Sequence, residues 1–277
     1  MTAMRESLRR RRIAIGGGLL VAVAMAALVL PWFAEDSTRA IGDVLRTRLV
    51  PPLGRDALGQ WHLLGTDAFG RDLAVRLGGA ARISLGVGVA GSLIAGLLGV
   101  VLGAVAGWRG QWIDRVITAS ADMLLAIPRL VLLLVIAALW GPGLGTVVVV
   151  LGLTGWMSVM RLVRAEVQSA RVRPYVEGAQ ALGVPSSRLL WRHVLPNALS
   201  SATVAVTLGV GNAMVLESGL SFLGLGVQPP TASWGNMIAG GREWLLVAPW
   251  IALLPGAALL VTVIAATMLG EGLQEPR

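Results

Sequence analysis

YVEGAQALGVPSSRLLWRHVLP, Tyr175 to Pro196, is a polar, Arg-bearing interruption between two long apolar stretches. A connector that only rejoins two helices needs about 2 to 8 residues. This one runs from Arg161 to Pro196 and keeps a helical period, with Leu162, Val163, Val167 and Ala170 apolar and Arg161, Arg164, Glu166 and Arg171 polar. Pro174 opens a second helix over about 174–182, since proline fits a first turn. Gly183 ends that helix as a C-terminal glycine does. Pro185, Ser186 and Ser187 start a third, with Leu189, Leu190 and Val194 on its apolar face, and Pro196 is expected to stop it. Small residues at Gly178, Ala179 and Ala181 leave the backbone of the second helix open to another surface. Two short helices braced by flanking spans make a docking surface for a partner on that side of a membrane.

A membrane is what the rest of the chain calls for. Of 277 residues, 55% are hydrophobic and only 14% charged, and mean hydropathy is +0.74. A soluble domain carries about 25% charged residues. Six stretches reach the ~20 apolar residues that span a bilayer, roughly 13–33, 83–107, 116–140, 143–160, 198–216 and 246–269. The expected fold is therefore all-α and integral to the membrane, with six spans. Residues 1–34 form the N-terminus and first span, 35–82 an external segment, and 83–277 a five-helix core that includes the segment 161–197. The apolar run after MTAMRESLRRRR is too long for a typical signal peptide and lacks a clear small-x-small exit, so it reads as an uncleaved anchor. There are no cysteines, hence no disulfide or thiolate chemistry. His62 and His193 lie far apart and make no metal-ligand pattern.

Arginine placement orients the spans. With both termini on one side, that side holds fourteen arginines against six carboxylates, which accounts for the entire net charge of +8. The opposite side is balanced. By the positive-inside rule the Arg-rich side is cytoplasmic, which points to a multi-pass protein of a bacterial cytoplasmic membrane with both termini inside. The excess flanks spans and forms no basic domain, so nucleic acid is not an expected partner.

Within the spans, Gly99, Gly103 and Gly107 recur every fourth residue, with Gly88, Gly91 and Gly96 nearby, spacing that lets another helix approach closely. Asp122 and Arg129 put charge into the third span, where it normally faces a bundle interior or an aqueous path. The two could pair across two helical turns. Asn212 and Glu217, near the outer half of the fifth span, complete the candidate pathway residues, with Glu217 placed at the entrance to the following loop. In the first external segment, Asp67, Arg71, Asp72 and Arg76 suggest a short charged helix leading into the second span. The second, 217–245, is too apolar to be freely solvated and is expected to fold back over the mouth of the bundle.

These residues resemble the integral-membrane permeases of binding-protein-dependent ABC importers. Their cytoplasmic signature has Glu-Ala-Ala, three residues, Gly, nine residues, then a residue pair before Leu-Pro. Here those positions are Glu177, Gly178, Ala179, Gly183, Leu195 and Pro196, with Gly178 where alanine is usual. GTDAFGRD (65–72), GGAARISL (78–85) and LSFLGLGVQPPTASWGNM (220–237) are similar to the dipeptide, oligopeptide and nickel subgroup, and the resemblance covers roughly 62–273. Arg129 departs from it, since the subgroup is ordinarily apolar there. The resemblance implies a type I ABC importer permease fold. It also implies a second homologous permease subunit, two ATP-binding subunits and an external solute-binding protein. Tyr175, Glu177, Gly178, Ala179, Ala181, Leu182, Gly183, Ser186, Leu189 and Leu190 would form the ATPase-coupling segment.

No GxxxxGK[ST] phosphate loop occurs in the chain, so ATP and its magnesium would sit on the partner subunits and the chain itself would be no enzyme. Intramembrane hydrolases need a His/Asp/Glu or Ser–His constellation in the spans, and none occurs. A lone channel or carrier would leave the 36-residue segment without a purpose. Short peptides are the expected solute, with nickel the alternative; the methionines are scattered as core methionines are, not clustered along a metal path.

Overall fold

The computed structural model describes residues 2–33 and 44–274. Charges counted above at Glu35, Asp36, Arg39, Asp43, Glu275 and Arg277 lie outside the described residues. Most of what is described is helical. The helices are α1 (Thr2–Val29, followed by a 3-10 turn Leu30–Phe33), α2 (Val44–Thr47), α3 (Leu73–Arg109), α4 (Gln111–Leu125), α5 (Arg129–Trp140), α6 (Leu144–Leu153), α7 (Trp156–Arg171), α8 (Pro174–Ala181), α9 (Ser186–Leu189), α10 (Leu195–Phe222), α11 (Trp234–Gly241) and α12 (Trp250–Leu273). A two-residue hairpin, β1 (Gly54–Arg55) against β2 (Trp61–His62), sits in the first loop with Gly54 opposite His62.

Five stretches are long and apolar enough to cross a membrane: Glu6–Val29, Leu73–Arg109, Leu144–Arg171, Ser186–Phe222 and Trp250–Leu273. The stretch expected as the third span, 116–140, falls in two helices, α4 and α5, bent by 87°. Pro128 is the cause. Its ring pushes Ile127 out of helical conformation, and Pro128 itself is extended at ψ 122° before α5 restarts.

Helix α3 is the axis of the bundle and packs against α1, α4, α6, α7, α10 and α11. At 37 residues it is about 55 Å long, so it rises well beyond a hydrocarbon core of about 30 Å. Its glycines are the reason so many partners fit. A Cβ at Gly99, Gly103 or Gly107 would lie 2.5–2.9 Å from Val159, Met160 or Arg164 atoms of the adjoining α7. Gly88 serves α10 in the same way through Met214, and Gly91 serves α6 through Leu151. Without a hydrophobic drive between helices in lipid, such close backbone approach supplies the association energy.

The start of α3 differs from the expected charged helix. Asp72 is its N-cap, with Oδ1 accepting from the Ala74 and Val75 amides at 2.9 and 3.2 Å. Asp67 and Arg71 sit in the turn before it, where Arg71 Nε donates to Asp67 Oδ2 at 2.7 Å and Arg76 approaches within 3.7 Å. On the opposite side of the bundle the chain ends meet: Arg12 pairs with Glu271 at 2.8 Å, and Arg9 Nε donates to the Gly272 carbonyl at 2.9 Å. Helices α1 and α12 pack along their length, so both termini lie on one side.

Candidate functional site: an exposed helix clamped to the bundle

Helix α8 stands out from the Arg-rich end of the bundle on a built support. Pro174 occupies its first turn, where a missing N–H costs nothing. Its last turn closes with paired bonds, Gly183 N–H to the Gln180 carbonyl at 2.9 Å and Val184 N–H to the Ala179 carbonyl at 3.1 Å. That closure needs a left-handed residue, and Gly183 supplies φ +81°. Val176 is fully buried, packed with Val163, Val167, Leu189, Leu190 and Val194. One face of α8 is thus sunk into α7 and α9 while the other faces outward.

The ten residues grouped by sequence therefore divide by role. Tyr175, Glu177, Gly178, Ala181, Leu182, Gly183 and Ser186 are exposed, with Leu182 at 86%. Ala179 is half-buried, and Leu189 and Leu190 are core residues that brace the helix from beneath. Around Gly178 there is open space, so the glycine answers no internal crowding.

Pro196 does not stop the third helix. It lies in the first turn of α10, and the preceding turn Leu190–Val194 widens to a π-helix in which Leu195 N–H donates to the Leu190 carbonyl. A wider turn gives the proline ring the room that a regular helix denies it. Consequently Ser186–Phe222 is one unbroken rod of 37 residues from the α8 support to the far face.

Helix α7 carries the second connection. Arg164 holds Asp114 of α4 through two bonds, one of them Nη2 to Oδ2 at 2.6 Å, with Gln168 3.4 Å from the same carboxylate. Arg161 pairs with Asp122. The expected Asp122–Arg129 pair is thus replaced by a bond between helices, because the bend after α4 carries Arg129 away from its neighbour. Arg129 instead donates from Nη2 to the Leu151 carbonyl at 3.3 Å. Asp114 and Arg164 were absent from the sequence-derived candidates; opposite charges at the Arg-rich ends of two consecutive spans were the available sign.

Of the remaining pathway candidates, Asn212 is exposed on α10 and Glu217 is fully buried. Glu217 lies within α10, not at a loop entrance. Its Oε1 accepts from Ser221 Oγ at 2.7 Å and from Ser233 Oγ at 2.8 Å. Ser233 is the N-cap of α11 in a capping box with Asn236, so the carboxylate fastens the second external segment onto the bundle. That segment packs through α11 on α3, α10 and α12, as its apolar composition requires.

Outside the spans, His62 Nδ1 donates to Asp72 Oδ2 at 2.7 Å, and Nε2 lies 3.5 Å from Asp56 Oδ2. Burial pulls the Asp56 carboxyl upward, but the Gln60 N–H, the His62 side chain and the Leu58 N–H together hold it below its ordinary value. No group of three or more His, Cys, Asp or Glu among the described residues is disposed to hold a metal ion.

Residues 99–277 match the family of binding-protein-dependent transport system inner membrane components. A Brucella suis biovar 1 (strain 1330) protein named as a peptide transport system permease is 36% identical over 271 residues, covering 98% of this chain and 88% of that one. The oligopeptide transport system permease protein OppC of Bacillus subtilis (strain 168) is 35% identical over 264 residues, 94% of this chain and 83% of its own length. Family match and relatives alike span the clamped helix, its support and the long rod behind it. The chain belongs to the inner-membrane components of binding-protein-dependent transport systems.

Proposed function

We propose that this chain is one of two membrane subunits of an ATP-driven importer of short peptides, and that α8 is the seat of an ATP-hydrolysing partner. The observation that carries the reading is α8 itself: an outward face with Tyr175, Glu177 and Leu182 exposed, fixed from beneath by a fully buried Val176. A side chain that must receive force needs a rigid mount. Nucleotide chemistry belongs to the partner, since the chain has no phosphate loop. The peptide assignment draws on the relatives, whose names describe peptide and oligopeptide permeases. With α4–α5 counted as one broken span there are six, and the Arg-rich side that bears α8 is cytoplasmic. An external binding protein would deliver the solute at the other face.

The geometry then has a mechanical consequence. Closure of the ATPases displaces α8, and the packing of Val176 against Leu189 and Val167 passes the displacement to the Ser186–Phe222 rod and to α7. Through Arg164–Asp114 and Arg161–Asp122, α7 draws α4 with it. Between α4 and α5 only a long bond, Ile127 N–H to the Leu124 carbonyl at 3.4 Å, holds the turn, so the 87° bend is where the motion can be taken up.

Two variants test this in a reconstituted importer. Glu177→Arg reverses charge on the exposed face, and Gly183→Pro removes both the left-handed residue and its N–H. Each is expected to leave ATP hydrolysis running while uptake falls by about tenfold or more, the loss of one charge-assisted contact or one cap. Undiminished uptake in both overturns the lever. Nickel uptake in place of peptide would change the solute and leave the lever standing.

A further inference from the structure

Two helix interruptions meet at Arg129. One is the bend before α5, where Arg129 is the first helical residue. The other is the Thr154–Gly155 break between α6 and α7. There Gly155 N–H turns back to the Gly152 carbonyl at 3.3 Å, so the Leu151 carbonyl loses its usual donor four residues on. Arg129 Nη2 takes that place at 3.3 Å.

That one long bond uses little of what the side chain offers. A guanidinium has five N–H donors and no acceptor. Arg129 Nε is fully buried without an acceptor, and among the described residues no carboxylate pairs with this cation. Asp122 is taken by Arg161. An uncompensated cation at membrane depth is costly, and such residues mark paths for solutes or ions. Irregular backbone at that depth is tolerated where it lines a cavity or is covered by protein. Here it opens outward: Leu125 and Ile127 are each 42% exposed and Leu130 40%. The first amides of α5, which no side chain caps, add their positive end to the same corner.

We propose that Arg129 is a carboxylate-binding station at the bend, completed by a carboxylate from outside this chain. Its fork is made for that partner, since guanidinium and carboxylate pair through two parallel bonds. The carboxylate comes either from the C-terminus of a passing peptide or from the facing membrane subunit. The first source rests on the peptide reading above. A purely structural pin would need a single donor for the Leu151 carbonyl, and glutamine could supply it.

Arg129→Gln in the assembled importer therefore separates the two roles. It is expected to lower peptide uptake by about tenfold, the worth of a hydrogen bond to a charged group, with Arg129→Lys between it and the parent. A direct reading is the rate at which phenylglyoxal modifies Arg129, followed by mass spectrometry with millimolar trialanine or trialanine amide and without the binding protein. Slowing by the acid but not the amide identifies the solute as the source. Slow modification in the assembly without peptide, fast modification in the isolated chain, and weaker subunit co-purification for Arg129→Gln identify the neighbouring subunit. Full uptake by Arg129→Gln, with modification unaffected by assembly or peptide, overturns the proposal, as does equal protection by acid and amide. Failure of the parent assembly to carry trialanine would sink the peptide reading alone, because the modification rates still report on the station.

Discussion

Gly103→Ala should be among the most damaging single-methyl changes in this protein. The added Cβ would lie 2.6 Å from the Met160 carbonyl oxygen, 2.9 Å from Val163 Cβ and 3.1 Å from the Arg164 amide nitrogen. Ordinary contact begins near 3.4 Å, and two of the three neighbours are backbone atoms that cannot rotate aside. Helices α3 and α7 must therefore part by roughly 1 Å, a gap that forfeits a quarter to a half of the contact energy along the stripe. Gly99 and Gly107 lie on that stripe, so the loss extends over about two turns. Overpacking of this kind costs about 3 kcal/mol, and alanine's better helix propensity returns about 1, leaving about 2 kcal/mol. The thermal midpoint of the detergent-purified chain measures it, beside Gly86→Ala on the same helix, where nothing lies within 4 Å. Gly86→Ala should match or exceed the parent. Equal midpoints for the two variants would refute the close-approach account of the α3–α7 pair.

Two further outcomes follow from buried polar groups. The Asp56 carboxyl is held below its ordinary value, so its contribution to the fold of the external hairpin is complete above about pH 4 and is lost as pH falls through the folded value. Amide protection over 54–64, corrected for intrinsic exchange, should drop in that acid range in the parent and be nearly flat with pH in Asp56→Asn. Glu217→Ala strands the hydroxyls of Ser221 and Ser233, a loss of about 1–3 kcal/mol, and should raise amide exchange over 224–240. Glu217→Gln keeps an acceptor for both hydroxyls and should stay near the parent; matching exchange in the alanine variant would refute the fastening role.

What could be read from sequence was whatever repeats with a helical or membrane period. The apolar stretches, the glycine stripe of α3 and the helix-break-helix of 174–190 all have local causes, and Pro174 and Gly183 act where their own backbone limits require. Long-range partners left no such mark. Asp122 chooses Arg161, thirty-nine residues on, over an arginine seven residues away, and only the bend at Pro128 explains it. Pro196 misled for the opposite reason. A proline inside a helical pattern is a sound stop signal, but a single π turn absorbed it. Glu217 read as a loop-entrance carboxylate because its partner Ser233 lies sixteen residues ahead in an irregular segment. Sequence put Leu189 and Leu190 on an apolar face, where they are buried, yet grouped them with the exposed Leu182 in one coupling segment, because membership in a motif does not separate the docking face from its support.

If the exposed face of α8 seats an ATP-hydrolysing subunit, as proposed above, a reactive group placed on that face must reach it. The chain has no cysteine, so Leu182→Cys places a single thiol on this subunit, at a position 86% exposed. In membranes holding the complete importer, a short bifunctional thiol–amine crosslinker should join it to an ATP-binding subunit, with a yield that changes when ATP is bound. No adduct with that subunit, or an adduct with the external binding protein instead, would mean that α8 is not its seat.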